Sequence, residues 1–272
     1  MAGNPRAAGA RRPLVSGNWK MYHDHVEALH TVRDLGLRLD PADVAAVDLS
    51  VHPPFTDMRT VQTVVEGDAI PVALGAQHCS PHDRGAYTGE VSPQMLARLG
   101  VRYVIVGHSE RRHLFGMDDA AVAETLRAVL RHGMIPICCV GETEEERQAG
   151  RTEERLGAQL RTALAGLPAE QVASMVVAYE PVWAIGTGTA ATAVDAEDAC
   201  DFLRRQIAAL SGEEAAHGIR LQYGGSVNGE NATDFLAEPD VDGLLVGGAS
   251  LQAASFVEIA RAAGAALPAR RR

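Results

Sequence analysis

Eight short apolar runs recur along the chain, and a segment of helical composition follows each of them. This alternation, with a period of roughly 25–45 residues, is typical of strand–helix units that build a parallel sheet. It restricts the fold to the α/β class, because parallel strands need long crossover connections and helices provide them. The predicted strands are Leu14–Trp19, Val47–His52, Pro71–Gln77, Arg102–Gly107, Met134–Val140, Met175–Glu180, Ile219–Tyr223 and Gly243–Val246.

Three helix starts carry a capping pattern. In each, a hydroxyl-bearing residue is followed either by proline in the first helical position or by an acid three residues later. Such a residue gives an otherwise unpaired backbone amide a side-chain partner, so it marks where a helix begins. We predict helices from Ser92-Pro93 to Gly100, from Thr143 through Leu160, and from Thr192 through Leu210.

Eight parallel strands in about 250 residues either close into a barrel or remain an open, doubly wound sheet. An open dinucleotide-binding sheet carries a Gly-x-Gly-x-x-Gly turn after its first strand. The first strand here ends in Gly17-Asn18-Trp19-Lys20, which lacks that turn. We therefore predict a single-domain (β/α)8 TIM barrel over residues 13–264, with a flexible basic leader at 1–12 and a short basic tail at 265–272.

The charge balance narrows the classes of partner. The chain has a net charge of −10 at pH 7, and six of its arginines lie in terminal segments that contain no acids. Without those six charges, residues 13–269 carry a net charge of −16, so the body of the protein is a poor nucleic-acid binder. A small anion has to be attracted locally, by backbone amides and one or two cations. No apolar run approaches the roughly 18–20 residues of a membrane span, so we expect no membrane partner.

Cysteine usage and the first residues indicate the compartment. The four cysteines lie in or beside apolar segments and lack the spacing of metal ligands. Residues 1–12 have no apolar core of a secretory signal; they are faintly similar to a transit peptide, but a frayed leader explains them more simply. We predict a cytoplasmic protein with reduced core thiols. The cysteines are Cys79, Cys138, Cys139 and Cys200.

Polar residues and glycines collect where the predicted strands end. In a barrel of this class, functional groups gather at the carboxyl ends of the strands. Each residue also has an ordinary role open to it, as a solvated lysine, a core histidine or a helix cap, but their joint placement favours a functional rim. The rim residues are Asn18 and Lys20 after the first strand, His108-Ser109-Glu110-Arg111 after the fourth, Glu180 after the sixth, Gly224-Gly225-Ser226 after the seventh and Gly247-Gly248 after the eighth.

Among these residues, Glu180 has the strongest sequence indication of a functional role. It ends an apolar run, Pro181 prevents the strand from continuing, and a loop with Gly186 and Gly188 follows. A carboxylate at the end of a buried strand is expected to have a raised pKa and to be useful as a general base. The glycines allow backbone amides to approach an anion closely.

The chain resembles the triosephosphate isomerase family from about Pro13 to about Ala263, with the motifs in the family's order. Several of these motifs are individually specific to that family. The matching stretches are Gly17–Met21, Gly75–Gln77, Gly85–Ser92, Val106–Arg112, Cys139–Glu142, Ala178–Gly188, Tyr223–Val227 and Val246–Leu251.

The resemblance implies an isomerase that interconverts dihydroxyacetone phosphate and D-glyceraldehyde 3-phosphate through an enediolate, without a metal or an organic cofactor. It implies that Glu180 moves the proton and that a neutral His108 donates a hydrogen bond to the substrate carbonyl oxygen. Lys20 and Asn18 complete the electrostatic pocket, and Glu110 positions Lys20. These roles fit the rim residues found from the strand ends alone.

The resemblance also implies a phosphate site and a lid. The backbone at Gly186, Ser226, Gly247 and Gly248 would hold the phosphate, which explains how so acidic a protein binds a dianion. Residues Pro181–Ala191 would close over the substrate and exclude water.

A homodimer is the third implication. The segment Gln77–Glu90 is long for a barrel loop, and long loops are usually functional or disordered. In the family this segment reaches into a second subunit, where Thr88 approaches the catalytic residues and Glu90 faces Arg111. The predicted partners are therefore a phosphorylated triose and a second copy of the chain.

Three stretches depart from the family pattern: Met21-Tyr22-His23, the loop tip His78–His82 and the far lid hinge Thr189-Ala190-Ala191. They leave open a paralogue acting on another short phosphorylated ketose, such as a tetrulose phosphate. A non-catalytic phosphate sensor is a further alternative, although such a protein has no reason to retain the lysine, the histidine and the glutamate together.

Two histidine pairs suggest a metal site. His23 and His25 are two residues apart at a helix start, where side chains diverge, and His78 and His82 flank the loop tip. We interpret all four as surface residues.

Overall fold

The computed structural model describes residues 11–185 and 191–266. Within these residues, parallel strands β1 to β8 pair in sequence order, and β8 closes on β1. The predicted barrel is confirmed, and every strand lies within its predicted run. The strands are β1 (Leu14–Asn18), β2 (Asp48–His52), β3 (Ala73–Ala76), β4 (Tyr103–Val106), β5 (Ile135–Val140), β6 (Val176–Tyr179), β7 (Arg220–Tyr223) and β8 (Gly243–Val246).

Helices surround the barrel and connect its strands. Short 3-10 helices at Val182–Ala184 and Gly248–Leu251 follow β6 and β8. The α-helices are α1 (His25–Arg38), α2 (Pro41–Ala46), α3 (Met58–Gly67), α4 (Pro93–Arg98), α5 (Ser109–Phe115), α6 (Asp119–Arg131), α7 (Glu144–Gln148), α8 (Thr152–Leu164), α9 (Ala169–Ser174), α10 (Ala193–Ser211), α11 (Glu213–Gly218), α12 (Ala232–Ala237) and α13 (Ala253–Ala266).

The capping predictions hold at the helix starts, but one predicted helix is divided. Ser92 accepts a hydrogen bond from a backbone amide of α4, and Thr192 forms a complete capping box at α10. Thr143 likewise caps α7, yet that helix ends at Gln148 instead of continuing through Leu160. The reason is Gly150, whose φ of 67° belongs to the left-handed region and ends the helix before α8 begins.

The apolar side chains form two layers. A large cluster lies between the strands and the surrounding helices, and a smaller one fills the barrel interior. All four cysteines are buried and unpaired, as predicted. Among the described residues, no helix is both long enough and apolar enough to cross a membrane.

Ion pairs of Arg11 and Arg12 lie at the amino ends of the strands. Arg11 Nε lies 2.8 Å from the buried carboxylate of Asp242, and Arg12 Nε lies 2.7 Å from Asp48. These two arginines belong to the predicted flexible leader, but they are attached to the barrel. At the other end, α13 runs past residue 264 to Ala266, into the predicted tail.

Candidate active site

A cavity of about 480 Å³ opens at the carboxyl ends of the strands. It brings together side chains and turns from five strand ends that are far apart in the sequence. The lining includes Asn18, Lys20, His108, Glu180, Ile185, Gly224, Gly225, Ser226, Leu245, Gly247 and Gly248.

Glu180 follows β6 directly, is buried and lines the cavity. Its backbone amide donates to the Val140 carbonyl at 2.8 Å, which extends the pairing of β6 with β5. Its carboxylate Oε2 accepts from the Ser109 amide at 2.8 Å, and Oε1 lies 2.9 Å from Nε2 of His108. The strand therefore supplies the carboxylate, and the residues after β4 orient it.

The pKa of Glu180 is lower than that of an ordinary glutamate, so the expectation of a raised pKa is wrong. Burial alone would raise the pKa, because the ionised carboxylate loses its hydration. The His108 imidazole and the Ser109 amide outweigh burial, since both stabilise the ionised form. The carboxylate is therefore charged and able to accept a proton.

His108 is the N-cap residue of α5. Its Nδ1 accepts a hydrogen bond from the Glu110 amide at 3.2 Å, which leaves the proton of a neutral imidazole on Nε2, facing Glu180. Burial alone would lower the pKa of His108, but the Glu180 carboxylate raises it. The raised pKa of His108 depends on the Glu180 carboxylate at 2.9 Å. The tautomer of His108 does not depend on it, because the Glu110 amide fixes the tautomer in any orientation of that carboxylate.

Lys20 has an uncommon backbone conformation, with a φ of 53°. Its amide donates to Asn18 Oδ1 at 3.0 Å, and its Nζ lies 2.7 Å from Glu110 Oε1. The stem of the side chain passes over the turn after β8, since a Cβ built on Gly247 would lie 3.5 Å from Lys20 Cε. The ammonium is thus held at the cavity by an acid from the β4 side, in the predicted pairing.

Backbone forms the opposite wall of the cavity. Gly225 and Ser226 lie in the turn after β7, and Gly247 and Gly248 lie in the turn after β8. Gly248 begins a 3-10 helix, and the first amides of a helix have no partner within it. A Cβ at Gly225 would lie 2.1 Å from the Tyr223 hydroxyl, so a larger residue does not fit. A wall of close-approaching amides is suited to an anion.

Two glycines lie beside the carboxylate: Gly224 is one of the predicted rim residues, whereas Gly141 is absent from them. A Cβ at Gly141 would lie 1.8 Å from the Glu180 carbonyl oxygen, and a Cβ at Gly224 would lie 3.0 Å from Glu180 Cγ. Because neither glycine has a side chain, both positions leave room for Glu180. Gly141 has no positive φ and no second glycine beside it, so no turn signal marks it in the sequence.

A buried network under the start of the predicted lid is also absent from those residues. Glu142 follows β5, and its Oε1 accepts from the Tyr179 hydroxyl at 3.0 Å and from the Trp183 indole at 2.9 Å. Arg147 lies 4.0 Å over the Trp183 ring and pairs with Asp195 at 2.7 Å. These contacts join the loops after β5 and β6 to α10. They are long-range, and no local pattern reveals them.

The middle of the predicted lid, with Gly186 and the Thr189-Ala190 part of its far hinge, lies outside the described residues. Both flanks are packed. Pro181 is buried and precedes the 3-10 helix at Val182–Ala184, and Ala191 is buried before α10. The ends of this segment are therefore fixed to the barrel.

The predicted interface residues lie away from the described part of the cavity lining. Thr88 and Glu90 are exposed on the segment after β3. Arg111 is half-buried, with its guanidinium 4.5 Å from the Phe115 ring, and it donates to Nε2 of His78 at 3.3 Å.

The histidine pairs have different environments. His25 and His82 are exposed as predicted, but His23 and His78 are half-buried, which corrects their interpretation as surface residues. Burial beside Arg111 lowers the pKa of His78 to about 4, which keeps it neutral as a hydrogen-bond acceptor. Within residues 11–185 and 191–266, no cluster of three histidine, cysteine or acidic residues is arranged to hold a metal ion.

Comparisons with known proteins agree with the barrel fold. The family model described as Triosephosphate isomerase matches residues 13–263. The curated triosephosphate isomerase of Mycobacterium bovis is 50% identical over 260 residues, covering 95% of this chain and 100% of the relative. That of Corynebacterium diphtheriae is 50% identical over 251 residues, covering 92% and 96%. The crystal structure of triosephosphate isomerase from Bartonella henselae aligns with a TM-score of 0.82 at 35% identity, covering 92% of this chain and 98% of that one.

Proposed function

The chain belongs to the triosephosphate isomerase family, and from this membership we propose how its rim residues perform the reaction. The protein is an intramolecular isomerase that interconverts dihydroxyacetone phosphate and D-glyceraldehyde 3-phosphate. The observation that supports the roles below is the convergence of Glu180, His108 and Lys20 on one cavity with an amide-rich wall.

Glu180 is the base in this proposal. Its carboxylate removes a proton from the carbon next to the substrate carbonyl, and the electron pair of the broken C–H bond forms the double bond of an enediolate. Negative charge moves to the former carbonyl oxygen. A proton passes from the hydroxyl of the neighbouring carbon to that charged oxygen. The same carboxylate then returns its own proton to the former carbonyl carbon, and the oxygen that lost its proton becomes the aldehyde carbonyl, which converts ketose to aldose. The substrate's own carbonyl accepts the electron pair, so the step requires no cofactor.

The proposal requires Glu180 to exchange hydrogen-bond partners. One of its carboxylate oxygens is engaged by the Ser109 amide and the other lies against His108. A substrate carbon must take the place of one of these contacts for proton transfer to occur. When the carboxylate turns towards the substrate, the Nε2–H of His108 becomes free to bind the substrate oxygen.

His108 acts as a neutral hydrogen-bond donor to that oxygen. The Glu110 amide holds its Nδ1 as an acceptor, so the Nε2 proton points into the cavity. A fixed donor aimed at developing charge is among the largest contributions an enzyme makes to rate. Lys20 adds a positive charge nearby, and Asn18 holds the lysine backbone in place.

The phosphate binds against the opposite wall. Amides in the turns at Ser226 and Gly247-Gly248 approach it, together with the proposed contribution of Gly186. Backbone dipoles and one lysine thereby hold a dianion in a chain whose net charge is −10. We further propose that Pro181–Ala191 closes over the substrate and excludes water.

Substrate preference separates this function from that of a tetrulose phosphate isomerase. We expect kcat/KM for the triose phosphates to exceed that for a tetrulose phosphate by about 10–200-fold, because one additional carbon has to fit a closed pocket. Coupled assays with both substrates on one preparation measure this ratio. Equal or higher activity on the tetrulose would favour the paralogue.

We propose that the protein is a homodimer, and exposed apolar side chains support it. They lie in the consecutive segments that follow β1 to β4, on loops and on the helices α4 and α5, and such a patch is typical of an interface. Tyr87 lies on the same loop as the predicted interface residues Thr88 and Glu90. The patch consists of Met21, Tyr22, Phe55, Tyr87, Met95, Leu114 and Phe115.

A charge placed in this patch should dissociate the dimer. We expect Tyr87→Glu to shift the protein from dimer to monomer in sedimentation velocity and to lower kcat/KM by at least about tenfold, because Thr88 would no longer pack against the partner's site. Leu37→Glu, at a side chain that is 87% exposed on α1, is the matched control and should remain a dimer. A fully active wild-type monomer would contradict the proposal.

We also propose that the protein is cytoplasmic. Its four cysteines are buried and unpaired, which suits a reducing compartment.

A further inference from the structure

Gln77 follows β3, and its side-chain amide joins the ends of two other strands. Its Nε2 donates to the Lys20 carbonyl at 2.6 Å and to the His52 carbonyl at 2.9 Å. Both partners are carbonyl oxygens, which only accept, so the nitrogen must face them and both of its hydrogens are used. The orientation of this amide is therefore fully determined by its contacts.

Lys20 needs such support because its backbone conformation is unfavourable. A residue with a Cβ and a φ of 53° keeps that conformation only when its surroundings hold it. Asn18 Oδ1 binds the Lys20 amide, and Gln77 binds the Lys20 carbonyl. The residue is thus held by hydrogen bonds on both sides of its Cα, and its side chain reaches Glu110.

His52, the second partner of Gln77, is fixed by a line of hydrogen bonds through the barrel interior. Its Nδ1 lies 3.0 Å from the Ala76 carbonyl, so Nδ1 is protonated and Nε2 accepts from Ser50 Oγ at 3.1 Å. The Ser50 and Ser16 hydroxyls are 3.0 Å apart, and Ser16 Oγ accepts from Gln222 Nε2 at 3.0 Å. All of these contacts are satisfied when each group donates a hydrogen bond to the next one. The order runs from Gln222 on β7 through Ser16 on β1 and then Ser50 and His52 on β2 to the Ala76 carbonyl on β3. His52, whose carbonyl Gln77 binds, is therefore held by its side chain as well as by its place in β2.

We propose that Gln77 is a positioning residue for Lys20: by binding the Lys20 and His52 carbonyls together, it keeps the lysine in the left-handed conformation that directs its ammonium to the cavity. The inference rests on the proposed function, in which Lys20 meets the charges of the substrate. Gln77 is not among the described residues that line the cavity, so its effect on the reaction passes through the lysine.

A double-mutant cycle on the full-length protein tests this inference. We expect Gln77→Leu to lower kcat/KM for dihydroxyacetone phosphate by about 10–100-fold with a higher KM, because a small misplacement of a binding group is costly. In a Lys20→Ala background the same change should lower kcat/KM less than about twofold, since no ammonium remains to be positioned.

A pH profile gives a second readout that a purely structural role would not move. The Gln77→Glu variant places an acceptor against two carbonyl oxygens at high pH, whereas its protonated form can donate to one of them. We expect its kcat/KM, relative to wild type, to rise as the pH falls. Because this variant retains the side-chain length, its pH profile tests the inference even if Gln77→Leu does not fold.

Gln62→Leu is the matched control. Gln62 is buried on α3, and its hydrogen bonds go to Arg59 and Glu66 of the same helix. It should resemble Gln77→Leu in melting temperature while retaining wild-type kcat/KM. If Gln77→Leu folds and keeps full activity, the inference about Gln77 fails while the proposed function stands. The same holds if the change lowers kcat/KM by the same factor with and without Lys20. If Lys20→Ala itself is fully active, the proposed role of Lys20 fails as well.

Discussion

Replacing Glu180 by aspartate should lower kcat by about 10²–10⁴-fold and leave KM nearly unchanged. The shorter side chain keeps the charge but withdraws the carboxylate from the reacting carbon by about one bond length, and proton transfer depends steeply on that distance. Binding of the phosphate depends on other groups, the amide wall and Lys20. Steady-state kinetics in both directions of the isomerisation measure the change.

The interpretation of that variant requires that the barrel remains intact. Glu124→Asp, at an exposed position on α6, makes the same chemical change away from the cavity and should leave kcat and KM at wild-type values. Thermal unfolding of both variants shows whether the site alone is affected. Wild-type kcat in a well-folded Glu180→Asp variant would remove Glu180 as the base.

The positions of the rim residues could be predicted from the sequence because a closed parallel barrel brings all carboxyl strand ends together. Glu180, His108 and Lys20 each follow a recognisable apolar run, so the convergence follows from topology. The state of these residues could not be predicted in the same way. The pKa of Glu180 falls because donors arrive from the end of another strand, at a distance that no periodicity specifies.

The remaining differences also arise from contacts that are distant along the chain. Gly141 is required because the Glu180 carbonyl passes against it, and Gln77 reaches the ends of two other strands, β1 and β2. Arg11 lies in a segment whose composition indicates disorder, yet it binds a buried acid far away in the sequence. Composition and spacing describe such residues singly, whereas their roles depend on which partner the fold brings near.

The second large effect is expected at His108. Replacing it by glutamine should lower kcat by about 10²–10³-fold, the usual cost of losing a donor aimed at a developing oxyanion. The glutamine amide can still donate, but it lacks the N-cap contact by which the Glu110 amide fixes the orientation of the imidazole. KM should change much less than kcat, because the bond to the substrate oxygen strengthens only as charge develops.

The same variant should move the pH profile of kcat/KM in a defined direction. His108 lowers the pKa of Glu180, so its removal leaves burial as the main influence and raises that pKa. Because the base works only when ionised, the acid limb of the profile should shift to higher pH, and activity should be lost earlier on acidification. His25→Gln, at an exposed histidine at the start of α1, should leave the profile unchanged. An acid limb that stays in place in His108→Gln would show that the pair is not coupled as its 2.9 Å contact indicates.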